Sequence, residues 1–279
     1  MTPYVVLLAL GAAGLHAGWN VLLKSSGDPL PTATRSLAAS AAVVTPAALV
    51  AWWLTGHPSL PPAGWVILVL SSLAELGYFI FLSRAYRAGA LSVVYPIARG
   101  SGPLVAVAAG LLLLRERLTA LELVGVLALL AGIWLVRGRG TKLGRAAIVP
   151  ALITGAFIGT YTTLDRVGVN LGSPWLYAGL LWGLIAALLV AWTGAVPLRS
   201  GAGENWRVSI AIGLMMAVAY GLALVALTLA PVAIVAPLRE SAIVLVTAWG
   251  VWRLKEREGA ALRLVGAGAI LAGIVLIAI

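Results

Sequence analysis

The chain has 279 residues, 62% of them apolar, 10% charged and none cysteine, with a formal net charge of +10. Soluble globular domains carry roughly a quarter of their residues as charges, so that class is excluded, and without cysteine there is no structural disulfide, thiolate nucleophile or cysteine-ligated metal centre. The Lys and Arg excess is not a nucleic-acid footprint either, because the cations lie in short gaps between apolar blocks instead of gathering on one solvated face.

Taken in chain order, ten apolar blocks cover residues 3–23, 32–54, 64–83, 90–114, 119–136, 146–165, 173–193, 207–229, 232–252 and 261–279. Each is near the ~20 residues that cross a bilayer as a helix. Runs such as Val124–Val136 are apolar on every side, where barrel strands would alternate. No basic residue precedes the first block, so it reads as a retained helix and not a cleaved leader. Only short connectors are left, which puts the function inside the membrane. Fourteen of the 19 cations fall in gaps after odd-numbered blocks or at the block edges that border them, among them Lys24, Arg35, Arg87, Arg145 and Arg207, whereas the gaps after even-numbered blocks hold only Arg115, Arg117 and Arg166. The positive-inside rule then expects both termini outside the cytoplasm.

An internal repeat organises these blocks. Arg99 precedes Glu116 by seventeen residues, and Arg239 precedes Glu256 by the same spacing. Gly125 and Ala131-Gly132-Ile133 correspond to Gly266 and Ala272-Gly273-Ile274, and Gly14 and Gly18 to Gly155 and Gly159. Five blocks per copy, an odd number, force the second copy to enter the membrane upside down. The expected fold is an all-α integral membrane protein, ten transmembrane helices in two inverted five-helix repeats, residues 1–140 and 141–279.

The residues Pro96-Ile97-Ala98-Arg99-Gly100, then Arg115-Glu116-Arg117-Leu118-Thr119 and a Gly-rich closing helix, with a weaker copy in the second half, resemble the EamA branch of the drug/metabolite transporter superfamily. His16-Ala17-Gly18-Trp19-Asn20 is similar to that branch as well. Arg115 and Lys255 stand where the family motif has Gly before Glu-Arg. The resemblance implies a ten-helix, two-repeat carrier with a central cavity, usually an exporter of amino acids or other small metabolites. The expected setting is a bacterial inner membrane.

A charge near the bilayer centre costs at least ~2.5–3.5 kcal/mol, so Glu75, Arg99, Arg239 and Glu240 are the candidate substrate-binding residues, with Asn20, Tyr95 and Trp19 beside them. Counting helical rise from opposite faces puts both arginines near the midplane and Glu75 near the level of Arg99, so an ion pair between Glu75 and Arg99 is feasible. Pro96, Gly100, Gly102 and Pro103 in the fourth block, and Pro237 in the ninth, are expected to kink or unwind their helices. Glu75, Glu240 and His16 are the candidate proton carriers. Tyr161 and Trp249 are further aromatic candidates, whereas Glu116 and Glu256 read as local turn pairs. No metal constellation, cofactor motif or nucleotide loop occurs. Two arginines and two glutamates sum to zero, which suits a zwitterion. The expected partners are therefore a small-molecule substrate, membrane lipid and protons, and the expected activity is secondary active export of an amino acid or similar metabolite. An exporter of organic cations or drugs is the second reading, and a noncatalytic scaffold or lipid scramblase the third.

Overall fold

The structure, a computed structural model, describes residues 3–89, 91–136, 144–198, 205–241, 243 and 260–279. Among them are ten α-helices: α1 (Pro3–Ser25), α2 (Pro29–Leu54), α3 (Pro62–Ala88), α4 (Leu91–Leu112), α5 (Ala120–Val136), α6 (Arg145–Gly168), α7 (Pro174–Thr193), α8 (Trp206–Leu229), α9 (Val232–Arg239) and α10 (Ala260–Ala278). Six of these, α1, α2, α3, α6, α7 and α8, are long and apolar enough to cross a membrane. Helix starts follow local chemistry. Asp28, Ser173 and Asn205 cap α2, α7 and α8 with side-chain oxygens, and prolines open α2, α3 and α7, where a missing N–H costs nothing. Thr119 and Glu122 form a reciprocal capping box at the start of α5, with the Thr119 N–H donating to Glu122 Oε2 at 2.8 Å.

Loop contacts sort the helix ends onto two faces. On one, Arg87 at the end of α3 pairs with Asp28 before α2 at 2.5 Å, and Thr34 of α2 meets Thr193 at the end of α7 at 3.3 Å. On the other, Gly172 before α7 lies against Ser59 before α3, and Glu116 before α5 binds the start of α9. The connection between α1 and α2 therefore lies on the face opposite to that between α6 and α7.

Helix pairing has a matching regularity. Exchange of each helix with the one five places on turns the α1 with α8 pair into α6 with α3, and α4 with α6 into α9 with α1; α2 with α7, α4 with α9 and α5 with α10 map onto themselves, and all seven pairs are packed together. The α5–α10 crossing illustrates it. A Cβ on Gly125 would lie 2.9 Å from the Gly273 carbonyl oxygen, and one on Gly132 2.6 Å from that of Gly266, so two glycines on each helix let the backbones touch in antiparallel register.

Two sequence expectations are corrected, and a third lies partly outside the described residues. α4 is one continuous helix through Pro96, Gly100, Gly102 and Pro103. Its small residues serve close packing: a Cβ on Gly155 of α6 would come within 2.8 Å of the Ala98 carbonyl oxygen, and one on Gly159 within 2.8 Å of that of Gly102. In the second half Pro237 lies inside α9, which ends at Arg239 with Glu240 as its C-cap; residues 244–252 of the expected ninth span, with Trp249 and Glu256, lie outside the described residues. Arg35 is no loop cation. It sits within α2, 7% exposed, and donates to Ser209 Oγ, the Pro197 carbonyl and Thr32 Oγ1 at 3.2–3.4 Å.

Candidate functional site

α3 and α6 carry the acidic part of the interior. Glu75, midway along α3, is 4% exposed, and its Oε1 has no hydrogen-bond partner. Its electrostatic neighbours are Asp165 of α6, Tyr220 of α8 and Arg239 of α9. Asp165, 1% exposed, accepts from Ser71 Oγ at 2.6 Å, from the Tyr177 hydroxyl at 2.9 Å and from the Tyr220 hydroxyl. It escaped the sequence reading because it closes an apolar block beside Arg166 and resembles a loop charge; α6 runs three residues further and draws it into the interior.

α4 and α9 carry the basic part. Arg99 Nη1 bonds Glu240 Oε1 at 2.7 Å, with both side chains 3% exposed, and the guanidinium lies 5.7 Å from the centre of the Tyr95 ring. Arg99 therefore pairs with Glu240 and not with Glu75, the feasible partner at its level. Depth along a helix places a residue in a layer but not at an azimuth: Glu75 lies nearest Asp165 of α6, Tyr220 of α8 and Arg239 of α9, while Arg99 bonds Glu240 just past α9. The second guanidinium nitrogen, Nη2, has no partner. Arg239 interacts with Tyr161, Glu240, Tyr220 and Asp165, and Tyr161 is in electrostatic reach of Glu75, Arg239, Arg99 and Glu240. Tyr161 therefore stands between the two parts.

Beside Glu75 lies a small cavity lined by His16, Trp19, Leu37, Glu75, Tyr78, Phe79, Tyr161, Trp182, Met216 and Tyr220. It offers about 20 Å³ to the centre of a water molecule, room for one or so, and is closed to a metabolite in this conformation. His16 packs edge-on to Trp19 at 4.6 Å and leaves Nε2 unpartnered. Asn20, one turn on, is fully engaged: it donates to the His16 carbonyl at 2.8 Å and accepts from the Tyr86 hydroxyl at 2.6 Å, tying α1 to α3. A wider polar vestibule of about 280 Å³ opens at the ends of α1, α2 and α8, walled by Ser25, Ser26, Thr32, Arg35, Asn205 and Ser209. Trp19, Leu37 and Met216, deeper on those same three helices, line the inner cavity.

Glu116 does more than close its own turn. Its two oxygens accept the Val232 and Ala233 N–H groups at 2.8 and 3.0 Å, and Arg166 Nε lies 3.5 Å away, so the first half caps a helix of the second.

The EamA-like transporter family model matches residues 3–138 and again 145–279, nearly the whole chain in two repeats. The chain belongs to the EamA family. EamA proteins are membrane transporters within the drug/metabolite transporter superfamily, so this chain is an integral membrane protein of a transport class, not an enzyme. It is similar to a protein of known crystal structure at 18% identity and a TM-score of 0.74, over 99% of this chain and 96% of that one, a likeness that shows the fold. No curated protein matches the chain.

Proposed function

We propose that this EamA chain is a secondary active carrier for the export of a small polar metabolite, an amino acid or similar zwitterion, working by alternating access between two inverted halves. The observation that carries this reading is a pair of unmatched buried atoms, the Glu75 Oε1 acceptor and the Arg99 Nη2 donor, with Tyr161 in reach of both residues. Buried polar atoms without partners are rare and costly, and a ligand that satisfies them recovers that cost. A zwitterion supplies both complements, an ammonium for Glu75 and a carboxylate for the guanidinium. Trp19, Tyr161 and Trp182 flank the ammonium end, and Tyr95 supports Arg99 from behind.

The two-fold exchange pattern of helix contacts, with equivalent connections on opposite faces, supports inverted halves hinged about this centre. The vestibule beside α1, α2 and α8 supports a path to one face, closed by Trp19, Leu37 and Met216. Protons are the coupling ion in this reading, with Glu75 and His16 at the cavity wall as carriers. Glu240 is held by Arg99 and would have to leave it to take part. The aromatic wall around a carboxylate also supports a second reading, an exporter of organic cations that makes no use of Arg99.

A thermal-shift screen of the purified chain with amino acids and with quaternary ammonium compounds separates the two readings. Stabilisation by one or more amino acids, lost in Arg99→Lys because Lys keeps the charge but not the planar fork, is the expected result. Stabilisation by carboxylate-free cations alone, equal in wild type and Arg99→Lys, would overturn the zwitterion reading.

A further inference from the structure

α9 is pinned at both ends by the first half of the chain. At its start the Val232 and Ala233 N–H groups donate to Glu116, in the turn that follows α4, at 2.8 and 3.0 Å. At its other end the C-cap, Glu240, bonds Arg99 of α4 at 2.7 Å. The two contacts differ in their access to water. Arg99 and Glu240 are each 3% exposed, and parting them would strand two buried charges. Glu116 lies in a turn between the exposed Arg115 and Arg117, and its partner Arg166, 3.5 Å away, is 24% exposed. The N–H groups that Glu116 holds belong to the first turn of a helix, where they have no intrahelical acceptor, and water at that face can take the place of the carboxylate. One end of α9 is therefore a fixed point, and the other is a contact that can open and reclose.

Helix packing shows what such an opening would move. α3 and α4 both pack on α6, and α8 and α9, their counterparts five places on, both pack on α1. The inner cavity lies between these two groups, with Glu75, Tyr78, Phe79 and Tyr161 on one side and His16, Trp19, Met216 and Tyr220 on the other. Glu116 joins the groups on one face of the molecule, where Arg166 Nη1 and Asn170 Nδ2 at the end of α6 also donate to the Leu227 carbonyl of α8. On the opposite face Lys24 Nζ, in the last turn of α1, donates to the Tyr86 and Gly89 carbonyls at the end of α3, the same clasp with the helices exchanged. Each mouth thus has a polar clasp across it.

We infer that Glu116, backed by Arg166, is the releasable latch of one mouth of the carrier. The group of α1, α8 and α9 swings on the Arg99–Glu240 pair, the start of α9 leaves Glu116, and the cavity opens to that face while Lys24 keeps the other closed. The latch rests on the alternating-access reading but not on the identity of the substrate.

Distances between pairs of spin labels test it without substrate, on the full chain in lipid nanodiscs. Leu112→Cys on α4 with Val225→Cys on α8 spans the latched mouth, and Val21→Cys on α1 with Arg84→Cys on α3 spans the opposite one. All four positions are exposed and none lies on α9, so fraying of that helix alone does not move them. Glu116→Ala is expected to lengthen the first distance and leave the second as in the wild type. Glu116→Gln, which keeps the volume and one carbonyl oxygen, is expected to lengthen the first distance less than Ala does. A first distance unchanged in folded Glu116→Ala overturns the latch, as does equal lengthening of both distances, which would be a general loosening. A Glu116→Gln chain that does not fold also overturns it, since the contact would then be a permanent part of the structure. Lengthening as expected in a chain that moves no amino acid would sink the zwitterion reading and leave the latch standing.

Discussion

Arg99 and Glu240 define what a single side chain does here. Two opposite charges 2.7 Å apart and 3% exposed hold each other at the cost of their hydration, and neither is tolerable alone. Glu240→Gln or Arg99→Ala is expected to cost about 3–5 kcal/mol, seen as a loss of thermal stability in detergent, whereas the double change Arg99→Met with Glu240→Met should recover most of it. A double variant as unstable as either single one would contradict the pairing. Tyr86→Phe strands the buried Asn20 Oδ1 and is expected to cost about 1–3 kcal/mol by the same measurement. The burial of the four sequence-read charges was legible, because an ionisable residue inside an apolar helix has few other reasons to be there. Their partners were not. Azimuth depends on how ten helices pack, and Asp165, one turn from a helix end, looked like a surface charge.

At the scale of the helix, glycine and proline carried two meanings that the sequence alone does not separate. Gly100, Gly102 and Pro103 read as a break, yet α4 stays helical and uses its small residues to lie against Gly155 and Gly159 of α6. Gly155→Leu, which would press on the Ala98 carbonyl and Ser101, is expected to destabilise by about 1–3 kcal/mol, while Gly14→Leu, where a Cβ meets nothing within 4 Å, should be much milder. Equal effects at the two positions would refute the close-packing account. The cap that Glu116 places on α9 was hidden because it joins residues 116 positions apart. Glu116→Ala is expected to cost about 0.5–2 kcal/mol, with faster amide hydrogen exchange confined to the start of α9. Protection there that does not change would show that the cap is idle.

For the whole molecule, the all-helical architecture was the most legible feature, since hydropathy and bilayer thickness point to helices together; six of the described helices are long and apolar enough to cross a membrane. The pairing of helices across the two halves was not, because no local pattern records which helix meets which. Single cysteines in a chain that has none give a direct reading of topology. Ser25→Cys is expected to label from the cytoplasm, and His57→Cys and Gly172→Cys from outside; labelling of positions 57 and 172 from different faces would break the inverted arrangement. The central claim, a zwitterion carrier centred on Arg99 and Glu75, is met most directly by flux. Proteoliposomes of the wild type and of Arg99→Lys are given a mixture of amino acids outside, and the lumen is read by mass spectrometry over time. The expected result is accumulation of one or a few amino acids in wild-type vesicles, faster with an inward-acid-to-outward-alkaline gradient than without, and a loss of that flux in Arg99→Lys. Entry of no amino acid, or equal entry in the two proteins, would contradict it.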